Sequence, residues 1–262
     1  MAYKKNRPEQ IADITQYIAK IHQLFTDWSS APGDLWFRGV DNSKFTLVPR
    51  TVRIKNYDEE SPTEEFLQNF QVYHTERVSD CWERYALMQH FGLPTRLLDW
   101  SKSPLVALYF ALENRPPKKQ AVVWAMDPYK FNEIAHGKAI VYIPHGHAHI
   151  QDGIPIGQYL PLSLRLGELA KMPIEPLAIE PPLMNKRIVA QQGCFTIHGS
   201  NQKPIEQYFI DAKIERITRF IIPARARAPM LDALYNLGIR EDTIYQDLNS
   251  LTRRICKDRV EN

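Results

Sequence analysis

The stretch from Trp82 to Asn114, WERYALMQHFGLPTRLLDWSKSPLVALYFALEN, constrains the fold of this chain more than any other. Tyr85, Met88 and Phe91 recur at helical spacing, Gly92 supplies a helix end, and Pro94 forbids continuation. Ser103 followed by Pro104 reads as an N-cap with proline at the first helical position. It opens a second helix, Leu105 to Leu112, that is apolar nearly all round and therefore buried. That apolar run is far too short to cross a bilayer, so it lies under protein. The segment between the two helices, Gly92 to Ser103, is expected to be a linker held close to the core, yet it carries Thr95, Arg96, Asp99, Trp100 and Ser101. Charges in such a place are costly unless they are paired or reserved for a polar ligand. Two readings stand: a structural Arg96–Asp99 pair with Thr95 and Ser101 capping chain ends, or a binding site.

Ile11, Ile14, Ile18, Ile21 and Phe25 recur at steps of three and four and predict an amphipathic helix over residues 9–29, closed by a turn at Ser29 to Gly33. Leu35 to Val40 is short and aromatic and reads as a strand, with Arg38 inside it directed either at water or at a site. Phe45 to Arg53 reads as a loop or short strand, and Ser61-Pro62-Thr63-Glu64-Glu65 as a helix start. Ala121 to Met126 and Ala139 to Ile143 are expected strands, and the proline-rich run from Ile154 to Pro182 an irregular crossing. Arg187 to His198 has strand character around Gln191-Gln192-Gly193, where the glycine marks a bulge or a close backbone approach. Thr218 to Ile222 is a further strand, Met230 to Leu237 a helix stopped by Gly238, and Asp247 to Lys257 a last helix. Strands and helices mix without regular alternation, which indicates an α+β fold: a compact mixed sheet flanked by helices. An N-terminal amphipathic helix (residues 1–30) is expected to pack on a domain spanning 31–262.

A composition of 44% hydrophobic and 24% charged residues fits an ordinary globular protein, and a net charge of +3 is too small to demand a nucleic-acid partner. The last fifth is rich in Arg216, Arg219, Arg225, Arg227, Arg240, Arg253, Arg254, Lys257 and Arg259, read either as solvated faces or as phosphate contacts. Cys81, Cys194 and Cys256 form no CxxC pair, so neither a disulfide framework nor a thiolate zinc site is expected. His145, His147 and His149 alternate in HGHAH but lack acidic or cysteine partners at ligand spacing, so no metal is expected. The basic N-terminus is followed by no apolar core, and a cytoplasmic protein without a membrane partner is expected.

The motifs WFRG, LVPR (Leu47 to Arg50), Ala86 to Leu112, RIVAQQGCFTIH and the closing GIREDTIYQDLNSL together resemble the FRG domain family, whose name stands here as Phe37-Arg38-Gly39. The order of these motifs is similar to that of the ADP-ribosyltransferase superfamily. That resemblance implies an ADP-ribosyltransferase-like fold and an NAD-consuming enzyme, transferring ADP-ribose to a macromolecule or hydrolysing NAD, in a toxin or phage-defence setting. Its first-strand cation falls on Arg38, its hydroxyl-bearing second segment on Thr95 to Ser101, and its third position, a glutamate there, on Gln191 or Gln192. A glutamine cannot ionise to steady an oxocarbenium-like ribose. For such a substrate Arg38 and Arg96 are candidates to hold phosphate, Trp100 or Tyr85 to provide an aromatic shelf, and Asp99 or Gln192 to bind ribose hydroxyls. His90 is either the base for an acceptor or a helix cap. The alternative is a non-enzymatic module binding a nucleotide or nucleic acid through the same residues.

Overall fold

The computed structural model describes residues 9–74, 76–113, 119–144, 150–165, 171–181 and 186–260. Its strands are β1 (Glu9–Gln10), β2 (Trp36–Val40), β3 (Leu97–Ser101), β4 (Ala121–Met126), β5 (Leu177–Ile179), β6 (Gly193–Ile197) and β7 (Ile217–Ile222). They form one seven-stranded sheet in the order β1-β7-β4-β2-β3-β6-β5, parallel only between β1 and β7. The helices are α1 (Ile14–Asp27), α2 (Arg50–Arg53), α3 (Glu60–Tyr73), α4 (Cys81–His90), α5 (Pro104–Leu112), α6 (Pro128–His136), α7 (Lys186–Gln191), α8 (Ile205–Ala212), α9 (Ala224–Asn236), α10 (Glu241–Tyr245) and α11 (Leu248–Arg259). The mixed sheet flanked by helices agrees with the α+β expectation.

The alternation of side chains along β4 explains why AVVWAM is apolar throughout. Ala121, Val123 and Ala125 enter a core shared with Tyr17 and Leu24 of α1, Leu108 and Leu112 of α5, and Met230 of α9. Val122, Trp124 and Met126 face the other way, onto Trp36, Phe131 of α6 and Phe209 of α8. A third cluster joins Trp82, Tyr85 and Met88 of α4 to Leu97, Leu177, Phe195 and Ile197 at the far side of the sheet.

The sheet is tightly knit within its halves and barely joined between them. β2 pairs with β4 through all five of its residues, and β3 pairs with β6 through all five of its own. Between β2 and β3 the register holds one pair only, Phe37 opposite Ser101. Gly39, which that register would bring opposite Asp99, is unpaired on this side, so the strands part just where Arg38 sits. β2 is pressed instead onto α5: a Cβ built on Gly39 would stand 1.8 Å from the Ala107 carbonyl oxygen and 2.6 Å from the Ala111 nitrogen. Glycine here serves a close backbone approach.

Several expectations need correction. The supposed linker contains strand β3, because Leu98 and Trp100 pack into one core, Leu97 into another, and the backbone pairs with β6. Arg187 to Gln191 lies within helix α7; the turn at Gln192, with φ 47°, feeds Gly193 as the first residue of β6, so there is no bulge. Around Ala139 to Ile143 the ladder is reduced to a single bridge, Tyr142 to Ile179. Residues 50–53 are a helical turn where a loop or strand was expected, and residues 9–10 are a strand ahead of α1. Ser103 and Pro104 act as read: the Ser103 hydroxyl accepts from the Val106 amide at the start of α5.

Gly39→Ala should cost on the order of 3 kcal/mol in denaturant unfolding, since neither backbone atom facing it can move away. Gly193→Ala, whose nearest neighbour would be at 3.7 Å, should be tolerated.

Candidate functional site

Where β2 and β3 part, a hollow of about 400 Å³ opens between α4 and α5, with α7 along its rim. Arg38 lines it. Its side chain is 20% exposed, its Nη1 donates to the Asp99 carbonyl oxygen at 2.5 Å, and the same atom lies 3.7 Å from Asp99 Oδ2. Burial lowers the Arg38 pKa and the Asp99 carboxylate works against that; a guanidinium stays charged either way. Asp99, with a side chain 56% exposed, accepts from Gln89 Nε2 at 2.9 Å, and Gln89 Oε1 accepts from the Thr95 hydroxyl at 2.6 Å. Thr95 is fully buried and sits behind this relay, outside the hollow.

His90 faces the hollow from the last turn of α4, its ring edge-on to Phe91. Burial, reinforced by Arg187, lowers its pKa to about 4. It is therefore neutral at pH 7. Ser101 also borders the hollow, but its hydroxyl donates to the Gln191 carbonyl at 2.7 Å and accepts from the Ser103 amide at 2.9 Å, fastening β3 to α7 and to the start of α5. Gln191 spends its side-chain amide on the Ile244 carbonyl at 3.3 Å. Trp100 touches the hollow, yet only 3% of it is exposed and its indole donates to Thr196 Oγ1 within the core, so it offers no shelf.

Tyr85, Arg96 and Gln192 are not brought into the hollow. The Arg96–Asp99 pair considered above does not form; Arg96 Nε bonds Glu59 at 2.5 Å instead. The two residues differ by an odd number along an extended chain and leave it on opposite sides. Tyr85 donates its hydroxyl to Glu59 and accepts from the Arg96 amide, while the remaining Arg96 nitrogens reach the carbonyls of His198 and Tyr159. Every arm of this guanidinium is spent on the fold. Gln192 is exposed, its carbonyl taking the Lys102 amide at 2.9 Å.

The hollow also contains residues that sequence reasoning missed: Gln89, Phe110, Glu113 and Arg187. Phe110 and Glu113 are three positions apart at the end of α5 and so share a face. The Glu113 carboxylate accepts from the Tyr245 hydroxyl at 2.7 Å, the Arg187 guanidinium lies 4.7 Å over the Tyr245 ring, and burial pushes the Glu113 pKa up. The available signal was an acid ending a helix otherwise wholly apolar, together with the tyrosine of the closing motif.

Among the described residues no group of three or more His, Cys, Asp or Glu is placed to hold a metal, and no helix is long and apolar enough to cross a membrane. The HGHAH histidines lie outside the described residues. Much of the C-terminal basic cluster is spoken for: Arg253 pairs with Glu241, Arg254 with Asp242 and Asp258, and Arg219 and Arg240 lie over aromatic rings. Residues 33–120 match the family model described as FRG domain. They carry β2, β3 and α2 to α5, and so Arg38, Gln89, His90, Asp99 and Glu113, but not α7 or β6. No curated protein and no solved structure matches the chain.

Glu59→Gln should destabilise the protein by about 3–5 kcal/mol in chemical unfolding, because it leaves the Arg96 charge buried without its partner. His198, fully buried, has its pKa lowered to about 4 by burial and by Arg96. Below about pH 6.5 the unfolded chain takes up a proton that the folded one refuses, so stability is whole above that pH and falls as pH drops toward 4. The fall should be on the order of 3 kcal/mol, and His198→Gln should flatten it in unfolding midpoints measured across the window.

Proposed function

From a chain that carries an FRG domain across residues 33–120, we propose that the hollow between β2 and β3 is the site of an NAD-consuming enzyme of ADP-ribosyltransferase type. The observation that carries the reading is the convergence of Arg38, Asp99, Phe110 and Glu113 on one cleft opened by the parting of two strands. Arg38, on loan to the Asp99 carbonyl, holds a phosphate or ribose oxygen of the substrate. Phe110 offers a ring face to the nicotinamide, and Glu113 takes the carboxylate role that the glutamines cannot fill. The ribose C1′–nitrogen bond breaks with its electron pair passing to the pyridinium, which leaves as neutral nicotinamide. Positive charge then gathers on the ribose, where Glu113 and Asp99 steady it, and water or a nucleophile on a macromolecule bonds to C1′ and passes its proton to solvent. A raised Glu113 pKa suits this role, because the arriving cation favours the ionised carboxylate.

The test is nicotinamide release from NAD by purified protein, with nucleic acid and protein acceptors supplied. Wild type should release nicotinamide, Glu113→Gln should lower the rate by about 100-fold or more, and Arg38→Ala and Asp99→Ala should lower it as well. A silent wild type that nonetheless binds a nucleotide would replace the enzyme by a binding module.

A further inference from the structure

The hollow does not end at Arg38. A second hollow, of about 280 Å³, adjoins it, sharing Arg38, Arg53, Gln89 and Asp99 with the first and adding Arg50. Apolar residues, Val48, Leu93, Pro94, Leu97 and Leu98, make up much of its remaining wall. The two hollows differ in charge. The first has Arg38, Arg53 and Arg187 set against Asp41, Asp99 and Glu113, and is balanced. The second has Arg38, Arg50 and Arg53 set against Asp99 alone.

Arg50 and Arg53 make no ion pair with any described carboxylate. Arg50 uses one nitrogen, Nη1 to the Gly92 carbonyl at 3.2 Å. Arg53 uses Nη2, on the Thr46 and Val48 carbonyls at 3.0 and 3.1 Å, and lies 4.8 Å over the Phe45 ring. Both side chains are exposed, and these bonds leave most of the N–H groups of each guanidinium unspent. Glu206, whose charge acts on Arg53, is engaged by the Leu47 amide. Three guanidinium groups around one recess match two adjacent, negatively charged phosphates better than a single carboxylate.

We propose that this second hollow is a pyrophosphate subsite, in which Arg50 and Arg53 hold the diphosphate of a nucleoside diphosphate or dinucleotide. The inference deepens the NAD reading and rests on it for the identity of the remainder: with the diphosphate here, the cationic ring lies in the charge-balanced hollow beside Glu113. A bounded recess favours a small diphosphate over a nucleic-acid strand, for which a continuous basic stripe would be needed.

Titration calorimetry with ADP, inorganic pyrophosphate and adenosine tests it. Wild type should bind ADP and pyrophosphate, with adenosine at least tenfold weaker than ADP. Arg50→Ala should weaken pyrophosphate tenfold or more, Arg50→Ala/Arg53→Ala further still, and Arg50→Lys less than Arg50→Ala. Arg253→Ala, which removes an equal charge from α11, should bind as wild type does. Thermal melts of each variant separate lost binding from lost folding. Pyrophosphate binding that Arg50→Ala abolishes, without nicotinamide release by wild type, upholds the subsite and overturns the enzyme. Nicotinamide release with an unchanged KM for NAD in a folded Arg50→Ala/Arg53→Ala protein does the reverse. No pyrophosphate binding by wild type, or binding of an RNA oligonucleotide in its place, overturns the subsite.

Discussion

A single strand pair, Phe37 opposite Ser101, joins the two halves of the sheet, and the candidate site exists because that join goes no further. A ladder continued toward Gly39 and Asp99 would have closed the gap with backbone hydrogen bonds. Instead β2 is drawn onto α5 by the absence of a side chain at Gly39, and β3 is held away by its full pairing with β6. The Asp99 carbonyl, left without a strand partner on that side, is satisfied by the Arg38 guanidinium. A backbone acceptor met by a side chain is a bond that a ligand can replace, and therein lies the difference between a seam and a site.

Two arginines with the same chemistry meet opposite fates within this architecture. Arg96 is enclosed by Glu59, the Tyr85 hydroxyl and two carbonyls, and its charge serves the packing of α4 against β3. Arg38 holds one carbonyl and stands near one half-exposed carboxylate that is itself positioned through Gln89 and Thr95. The first is a structural ion pair. The second is a cation kept in place at the edge of water, facing a hollow lined by both acids and aromatic rings.

The sequence disclosed the elements whose signals are local. The cap at Ser103-Pro104, the apolar run of α5, the all-buried β4 and the odd cation in β2 were all legible. β3 was not, because Asp99 and Ser101 lie on the strand face turned to the cleft, and their polarity imitates a loop. α7 was not, because residues 187–191 place too few apolar side chains to show a period and Gly193 mimics a bulge. At the site, Arg38 and Asp99 were recognisable as charges in the wrong company. Glu113 was not, since what makes it notable is a tyrosine 132 residues further along the chain. Tyr85 and Arg96 were misleading for the reverse reason: their partner Glu59 is remote in sequence, so they read as unpaired.

The most direct measurement is a crystal structure of the protein soaked with ADP-ribose. The ligand should lie between β2 and β3, with the Arg38 guanidinium turned from the Asp99 carbonyl onto a ligand oxygen and the diphosphate toward Arg50 and Arg53. Ligand bound elsewhere on the surface, with Arg38 still on Asp99 and the gap between the strands empty, would contradict the assignment of this cleft.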